Sequence, residues 1–544
     1  MTNYQFTGGT ICAPATIPGT GAISIIRVSG IESLAIADKV IDTKGVPIAE
    51  TEGYRLRYGT VFEADGSVLD NVIVSVFRAP HSYTGENSVE ISCHASRFIV
   101  NKILEFLVNA GARIAAPGEF TRRAFVNGKM DLAQAEAVAD VIASQSAASH
   151  RVAMNQLKGG FSSELKVLRE KLLTMTSLLE LELDFSEEDV EFASRKELGQ
   201  LVDDSLTHIG RLTASFSRGN AIKNGIPVAI VGATNTGKST LLNALLGEER
   251  AIVSDIAGTT RDTIEETLNI DGILFRFIDT AGIRETDETI EKIGIDRTFK
   301  KLGEAAVVLG MTDLSRGEAA VLEDADFILS KVNEMYGVKN DGLAIDGAET
   351  GGASLAETGR TTPADTGVAS QHGHGDGQER KVVILVNKCD VAGSFYKDDN
   401  GTGYGSGNDL GENMAEIGGN KNVNHDNNIV SLIENKYDNC KVIPISAKTG
   451  KGLSTLTKTL GEIGSEITGS TDETLVTNVR HYEALVRAAS ALERVRAGLH
   501  IATLPPDLIA QDLREALYHL GEIVGEISTD ETLGNIFRNF CIGK

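Results

Sequence analysis

The sequence predicts a multidomain protein with an N-terminal α+β domain and a helical domain that an α/β domain of the P-loop type interrupts. Three observations predict this. At 544 residues the chain is too long for a single core. Its hydrophobic pattern changes from β-branched runs to helical spacing, and a glycine-rich loop follows an apolar run near the middle. The expected boundaries are 1–125 for the α+β domain, 126–224 and 466–544 for the two parts of the helical domain, and 225–465 for the insertion.

The elements follow from local patterns. In the first domain, runs such as "NVIVSVFRA" and "SVEISCH" are typical of strands, and "SRFIVNKILEFLVNAG" has helical spacing and ends at Gly111. The stretches "DLAQAEAVADVIASQ" and "RHYEALVRAASALERVRAGL" indicate long amphipathic helices. Between them, "PVAIVG", "AAVVLGM", "KVVILVNK" and "KVIPIS" alternate with helical segments, which favours a parallel sheet. Two polar stretches, 338–379 and 394–428, are predicted to be disordered insertions.

Composition limits the function classes. The net charge of −24 argues against non-specific binding of a phosphate backbone. The five cysteines form no close pairs, so neither a disulfide framework nor a zinc cluster is indicated. The N-terminus lacks the layout of a signal peptide, and no apolar run is long enough to span a bilayer. The prediction is a cytoplasmic protein.

A phosphate-binding motif occupies residues 232–240, "GATNTGKST". An apolar strand precedes it and a helix follows, which is the context that the motif requires. The glycines allow backbone N–H groups to face phosphates, and the helix N-terminus favours negative charge. Lys238 is expected to neutralise phosphate charge, and the Ser239 hydroxyl suits Mg²⁺.

A second motif indicates which base is bound. The segment "NKCD" ends at Asp390, whose carboxylate can accept hydrogen bonds from N1–H and the exocyclic amine of guanine. Adenine lacks these donors and would leave the carboxylate unpaired. Together with "DTAG" (279–282) and "SAK" (446–448), the motif predicts a Ras-like GTPase domain that binds GTP.

The hydrolytic residues depart from the Ras pattern. Asp279 is expected to reach Mg²⁺ through water and Gly282 to sense the γ-phosphate, but the next residue is Ile283, which cannot orient water. The loop "SDIAGTTRDT" offers Thr260 for Mg²⁺. With Asn235, its carbonyls are expected to enclose a monovalent cation in place of an arginine finger.

These motifs bring the chain close to a known family. Apart from the two polar stretches, it resembles the MnmE (TrmE) family of tRNA-modification GTPases. The resemblance rests on "IIRVSG", "YTGENSVEISCH", "APGEFTRRAFVNGKMDLAQAEAVADVI", "IAGTTRD" and the terminal "FCIGK". It implies an N-terminal domain that dimerises and binds formyl-tetrahydrofolate. It also implies a flavoprotein partner like the FAD-dependent MnmG protein. With that partner, an aminomethyl or carboxymethylaminomethyl group would be added to C5 of the wobble uridine in certain tRNAs.

The resemblance also assigns residues. It implies K⁺ ligands at Asn235, Ser254, Ile256 and Thr259, and a water-orienting carboxylate at Glu291. The full set predicted to bind GTP is Asn235, Thr236, Gly237, Lys238, Ser239, Thr240, Ser254, Ile256, Thr259, Thr260, Asp279, Thr280, Ala281, Gly282, Asn387, Lys388, Asp390, Ser446, Ala447 and Lys448.

The folate contacts implied by the resemblance are Arg27, Glu90, Lys129 and Lys544. Arg and Lys suit the glutamyl carboxylate of folate, and a carboxylate suits the donors of the pterin edge. The apolar C-terminal tail is expected to return to the interior and to bring Cys541 and Lys544 towards the one-carbon donor. For Cys541, a nucleophile and a packed thiol remain open.

Two alternatives to the modification enzyme remain. A GTP-switched ribosome-assembly factor without modification chemistry would carry a KH domain or a strongly basic tail, and neither pattern follows residue 465. In the other alternative the helical domain is a scaffold, and GTP hydrolysis only times the release of a partner.

Overall fold

A computed structural model describes residues 8–184, 195–248, 266–278, 305–336, 381–390, 429–437, 440–469, 473–501, 505–527, 530–538, 540 and 543. The chain divides into two compact units. The first unit combines residues 1–223 with 468–544, and the second is the continuous segment 224–467. The chain therefore leaves the first unit once and returns to it.

Strands and helices are numbered in chain order over the described residues. The strands are β1 Ile11–Pro14, β2 Ile23–Ser29, β3 Arg55–Phe62, β4 Val68–Phe77, β5 Ser88–His94, β6 Arg113–Ile114, β7 Ile226–Val231, β8 Glu266–Ile270, β9 Ile273–Ile278, β10 Val307–Asp313, β11 Lys381–Asn387 and β12 Cys440–Pro444. The helices are α1 Ser33–Val40, α2 Arg97–Asn109, α3 Glu119–Val126, α4 Leu132–Ala143, α5 Ala147–Leu157, α6 Gly160–Asp184, α7 Arg195–Ala214, α8 Phe216–Asn224, α9 Lys238–Glu248, α10 Glu318–Tyr336, α11 Ile429–Lys436, α12 Leu453–Thr468, α13 Val479–Leu499, α14 Pro506–Val524 and α15 Asp530–Arg538. Among these helices, none has the length and apolar character needed to cross a bilayer.

The N-terminal part of the first unit is a six-stranded sheet in the order β3-β4-β5-β2-β1-β6. Neighbouring strands are antiparallel except for β1 and β6, which are parallel. Alternate residues of β4, β5 and β2 point to one side, where they pack with α1 and α2 in a shared core. This alternation is what a sheet covered on one face requires.

The helical part of the first unit has its own core, which combines residues from both stretches of the chain. Side chains of α6 and α7, such as Leu172 and Val202, pack against Leu485 and Leu492 of α13 and against Leu513 of α14, and all five are fully buried. The helices therefore form one core although more than 240 residues of sequence separate α8 from α13.

A buried ionic cluster joins α4, α13 and the end of α14. The Glu136 carboxylate accepts hydrogen bonds from Nε and Nη2 of Arg480, each at 3.0 Å, and lies 2.7 Å from Nε2 of His481. Arg480 also donates to the carbonyl oxygens of Glu522 (2.7 Å) and Ile523 (3.1 Å) in the last turn of α14. Burial opposes ionisation of Glu136, but the charges and hydrogen bonds of His481 and Arg480 outweigh it and lower the carboxyl pKa to about 2.

The described residues of the C-terminal tail lie against the N-terminal part. Phe537 packs in a cluster with Leu132 of α4, and Phe540 contacts the same cluster. A Cβ atom on Gly543 would lie 2.1 Å from the carbonyl oxygen of Pro14, so only glycine can approach β1 this closely. Gly543 is buried, as the apolar sequence of the tail predicts.

The second unit is a doubly covered α/β sheet in the order β12-β11-β10-β7-β9-β8. Five strands are parallel, and the edge strand β8 is antiparallel to β9. Strand β10 is buried along its whole length, which is typical of a parallel sheet with helices on both faces. The carboxyl ends of β7, β10 and β11 meet at one edge of the sheet.

Candidate functional site

The loop between β7 and α9 requires glycine at two points. A Cβ atom on Gly232 would lie 2.3 Å from the carbonyl oxygen of Met311 in β10. Gly237 has a φ of +98°, and a Cβ atom there would lie 2.5 Å from Nδ2 of Asn387. Any other residue would force the backbone away from the neighbouring strands.

The Lys238 ammonium group lies over this loop. Its Nζ donates to the carbonyl oxygens of Gly232 (2.9 Å) and Ala233 (2.7 Å). Burial lowers the pKa of this lysine because it disfavours the charged form. The positive charge is thus held where the loop backbone would surround an anion.

The Asn387 side chain connects the predicted motifs. Its Nδ2 donates to the carbonyl oxygen of Thr236 at 2.7 Å, and its Oδ1 accepts from the backbone N–H of Ala447 at 3.0 Å. Asn387 is 3% exposed and Thr236 is 1% exposed, so both bonds are shielded from water. One side chain therefore joins the phosphate-binding loop, the "NKCD" segment and the "SAK" segment.

A further polar residue at this edge was not predicted from the sequence. The Asp313 carboxylate, at the end of β10, accepts a 2.6 Å hydrogen bond from Nζ of Lys388 through Oδ2. Its Oδ1 accepts from the N–H of Ser315 at 3.0 Å and from the Ser315 hydroxyl at 2.6 Å. Burial would raise the pKa of Asp313, but the bonds from Lys388 and Ser315 outweigh it and lower the pKa. The available signal was an acid at the carboxyl end of a buried parallel strand.

The remaining described residues of the predicted GTP set surround this edge with different exposure. Ser446 is buried, and its N–H donates to the carbonyl oxygen of Lys451 at 2.9 Å. Asn235 has a φ of +61°, a conformation that asparagine tolerates better than most residues. Ser239 is half-buried, and the exposed residues are Asn235, Thr240, Asp390 and Lys448.

Other predicted site residues lie outside the described residues, so the structure does not test them. They are Ser254, Ile256, Thr259, Thr260, Asp279, Thr280, Ala281, Gly282, Ile283, Glu291, Cys541 and Lys544. The predicted insertions at 338–379 and 394–428 also lie outside the described residues.

In the first unit, Arg27 and Glu90 form an ion pair on neighbouring strands. They are register partners of β2 and β5, and Nη2 of Arg27 lies 2.8 Å from Oε1 of Glu90. The guanidinium also lies over the rings of Tyr83 (5.1 Å) and Phe120 (5.6 Å). The Tyr83 hydroxyl bonds to Thr121, and burial raises its pKa. Tyr83 and Phe120 were not predicted as part of this site.

Lys129, in the turn between α3 and α4, lies against the loop that carries Tyr83. Its Nζ donates to the carbonyl oxygen of Pro80 at 3.1 Å, and its stem passes close to Gly85. The hydrogen bonds and ion pairs found among the described residues include none between Lys129 and either Arg27 or Glu90. Arg27 is also the register partner of Ala13 in β1. The next residue, Pro14, is the one that Gly543 packs against.

Comparisons with known proteins decide the family. Residues 10–129 match the family "GTP-binding protein TrmE N-terminus", and residues 132–541 match "MnmE helical domain". A protein of Parabacteroides distasonis named tRNA modification GTPase MnmE is 45% identical over 538 residues, which cover 98% of this chain and 100% of that protein. The chain belongs to the MnmE family.

Further relatives agree along the same length. The proteins named tRNA modification GTPase MnmE from Bacteroides thetaiotaomicron and Flavobacterium johnsoniae are each 44% identical, and each alignment covers 98% of this chain and 99% of the relative. The similarity to MnmE proteins therefore extends through both units and is not confined to the nucleotide-binding motifs.

Proposed function

We propose that this chain is a GTPase that takes part in tRNA modification. The observation that carries the proposal is the Asn387 side chain, which bonds to the phosphate-binding loop and to the "SAK" segment at once. Three sequence motifs thus belong to one site, including the "NKCD" segment, which is weak evidence alone. The relatives that match the whole chain carry the name tRNA modification GTPase.

Residues of the chain supply each part of GTP binding. The loop at 232–237 offers backbone N–H groups to the phosphates, and Lys238 supplies positive charge beside them. Asp390, at the exposed end of the "NKCD" segment, accepts the two donors of guanine. Selectivity over adenine follows because adenine would leave this carboxylate unpaired.

The same loop would also hold cations. Ser239 lies at the first turn of α9, directly after Lys238, and its hydroxyl with that of Thr260 would hold Mg²⁺. The exposed Asn235 side chain would hold K⁺ together with Ser254, Ile256 and Thr259. K⁺ supplies positive charge to the phosphates when bound, which is the role of an arginine finger in other GTPases. By resemblance to the MnmE family, Glu291 would orient the attacking water, a role for which Ile283 is unsuited.

Calorimetry with the purified full chain tests the nucleotide assignment. GTP and GDP are expected to bind in the presence of Mg²⁺, and ATP is expected not to compete. The Asp390→Asn variant is expected to lose GTP affinity and to gain affinity for xanthosine triphosphate, because the amide complements a carbonyl in place of the amine. Unchanged GTP affinity in the variant would refute the base assignment.

In the first unit, Arg27, Glu90, Lys129 and Lys544 would bind formyl-tetrahydrofolate. The half-buried ion pair supports this proposal, because its carboxylate and guanidinium are the groups that a pterin edge and a glutamyl carboxylate require. The aromatic rings of Tyr83 and Phe120 beside the guanidinium add an apolar surface for a flat ligand.

The complete activity would require partners. As a cytoplasmic homodimer, with an MnmG-like protein that carries FAD, the chain would add an aminomethyl or carboxymethylaminomethyl group to C5 of wobble uridine. Mass analysis of tRNA from cells that lack the protein tests this, and unmodified wobble uridine is the expected result. Replacing Cys541 with serine then separates chemistry from packing, since a nucleophile would be required for modification while GTP turnover continues.

A further inference from the structure

We propose that Asp313 is a positioning residue for the purine base, which acts by fixing the side chain of Lys388. The inference rests on the proposed GTP binding and adds a residue that none of the nucleotide motifs contains. Asp313 would not contact the phosphates, so its removal would weaken guanine nucleotides through the base side of the site alone.

The geometry of the ion pair is closely defined. The Lys388 ammonium lies 2.6 Å from Oδ2 of Asp313, whose side chain is 7% exposed. The N–H and hydroxyl of Ser315 hold the other carboxylate oxygen at 3.0 and 2.6 Å. The Asp313 carboxylate is thus held on both oxygens and cannot turn away from Lys388. Strand register supports the pair, because Asp313 and Asn387 are partners in β10 and β11.

The Lys388 backbone is constrained as well. Its φ of +63° lies in the left-handed region, which is uncommon for lysine and is maintained only by surrounding contacts. The contacts come from Asn387 on one side, which is bonded to Thr236 and Ala447. On the other side, two residues along, is Asp390. The constrained residue therefore lies between the side chain that joins the motifs and the carboxylate proposed to read guanine.

A fixed lysine stem is suited to a flat ligand. Lysine buries its methylene groups along apolar surfaces while its ammonium keeps a polar partner. A free lysine side chain would lose rotamer freedom when a purine covered it, whereas the bond to Asp313 imposes that loss when the protein folds. Lys388 is 35% exposed, so part of its stem remains available to a ligand.

The Asp313–Lys388 ion pair also gives the two lysines of the site different roles. The Lys388 charge is balanced by Asp313, while Lys238 bonds only to backbone carbonyls of the loop among the described contacts. Positive charge for the phosphates would therefore come from Lys238. Loss of Asp313 should change the affinities for GDP and GTP by the same factor, because the γ-phosphate is not involved.

The test compares the full chain with its Asp313→Asn variant by calorimetry with GDP and GTP. We expect the affinity for both nucleotides to fall by about tenfold. This is the size of effect that follows when one side chain must be immobilised on binding rather than on folding. The matched control is Asp324→Asn, which breaks a more exposed pair of the same unit, the 3.0 Å contact with Arg316, and should leave both affinities unchanged. A loss confined to GTP, or no loss, would overturn the inference.

A double-mutant cycle shows whether Asp313 acts through Lys388. In a Lys388→Met background, Asp313→Asn should cost less than about twofold, because the partner is already absent. A full tenfold loss in that background would contradict the mechanism.

If Asp313→Asn does not fold, Ser315→Ala keeps the charge pair but loosens the carboxylate. It should then weaken GDP and GTP equally, by about twofold to threefold, and unchanged affinities would count against the inference. Failure of the parent protein to bind guanine nucleotides would refute the proposed function instead.

Discussion

Glu136→Gln should destabilise the helical part of the first unit by about 3 kcal/mol at pH 7. The substitution keeps the size of the side chain but removes the negative charge that balances the Arg480 guanidinium and lies beside Nε2 of His481. Glu136 is 9% exposed and His481 is 2% exposed, so water cannot replace the lost interaction. The cluster also includes the Arg480 bonds to the last turn of α14, so the loss should reach that helix end.

Two estimates give this magnitude. The pKa of Glu136 falls from its ordinary value of 4.5 to about 2 on folding, a difference of about 2.5. At about 1.4 kcal/mol for each pH unit, this corresponds to roughly 3 kcal/mol. Removal of one partner from a buried ion pair typically costs about 3–5 kcal/mol. Because the pKa is lower in the folded state, the stabilisation is complete above pH 4.5 and is lost as the pH falls towards 2.

Hydrogen exchange measured on peptides of α13 and α14 provides the assay at pH 7, and urea unfolding followed by circular dichroism extends it to acid. The unfolding free energies of the parent and the Glu136→Gln variant should converge as the pH falls from 4.5 to 2. The control is Glu483→Gln on α13, the helix that carries Arg480. The Glu483 carboxylate is exposed and lies 3.9 Å from Arg487, so its loss should cost less than about 0.5 kcal/mol. A difference between parent and Glu136→Gln that persists unchanged at pH 2 would refute the electrostatic explanation.

Three other predictions concern the two proposed sites. Asn387→Ala removes the hydrogen-bond partner of the buried Thr236 carbonyl oxygen and of the buried Ala447 N–H. It should therefore lower the unfolding free energy of the second unit by about 2–4 kcal/mol, measured by urea unfolding, and abolish measurable GTP binding. Gly543→Ala places a Cβ atom against the Pro14 carbonyl and should release the tail, seen as faster hydrogen exchange after residue 530, and unchanged exchange would show that the tail contact is dispensable. GTP turnover should be well above the Na⁺ rate when K⁺ is present, and equal rates in the two salts would remove the argument for a cation in place of an arginine finger.

The strands of the second unit are readable in the sequence because burial on both faces makes them continuous apolar runs. The runs at β7, β10, β11 and β12 are all strands of the parallel sheet, as predicted. The antiparallel edge strand β8, "ETLNI", was not predicted, because its polar residues face solvent and its pairing is set by the turn that leads to β9.

In the first unit, β1 and β6 were also not predicted. Each has four residues or fewer, and their pairing is decided by long-range contacts. A window of local sequence carries no signal for such short elements.

The functional site also contains both residues that the sequence predicts and residues that it does not. The glycines, Lys238 and Asn387 were predicted because the backbone conformation and the ligand prescribe residue types at fixed spacing. Asp313 has no fixed spacing from Lys388. The two residues are 75 positions apart in the chain, and only the parallel register of β10 and β11 brings them together. Arg27 and Glu90 are likewise brought together only by strand register, and their assignment came from family resemblance.

The two-piece composition of the first unit has a consequence for synthesis on the ribosome. Its helical core needs α13 and α14, so the nascent helices α6 and α7 must wait, with apolar faces uncovered, while the whole 224–467 segment is translated. That segment is continuous and contains its own sheet, so it can fold during the interval. Chaperones that shield apolar helix faces should therefore engage the nascent chain most strongly after residue 214 has emerged and release it once α14 is available.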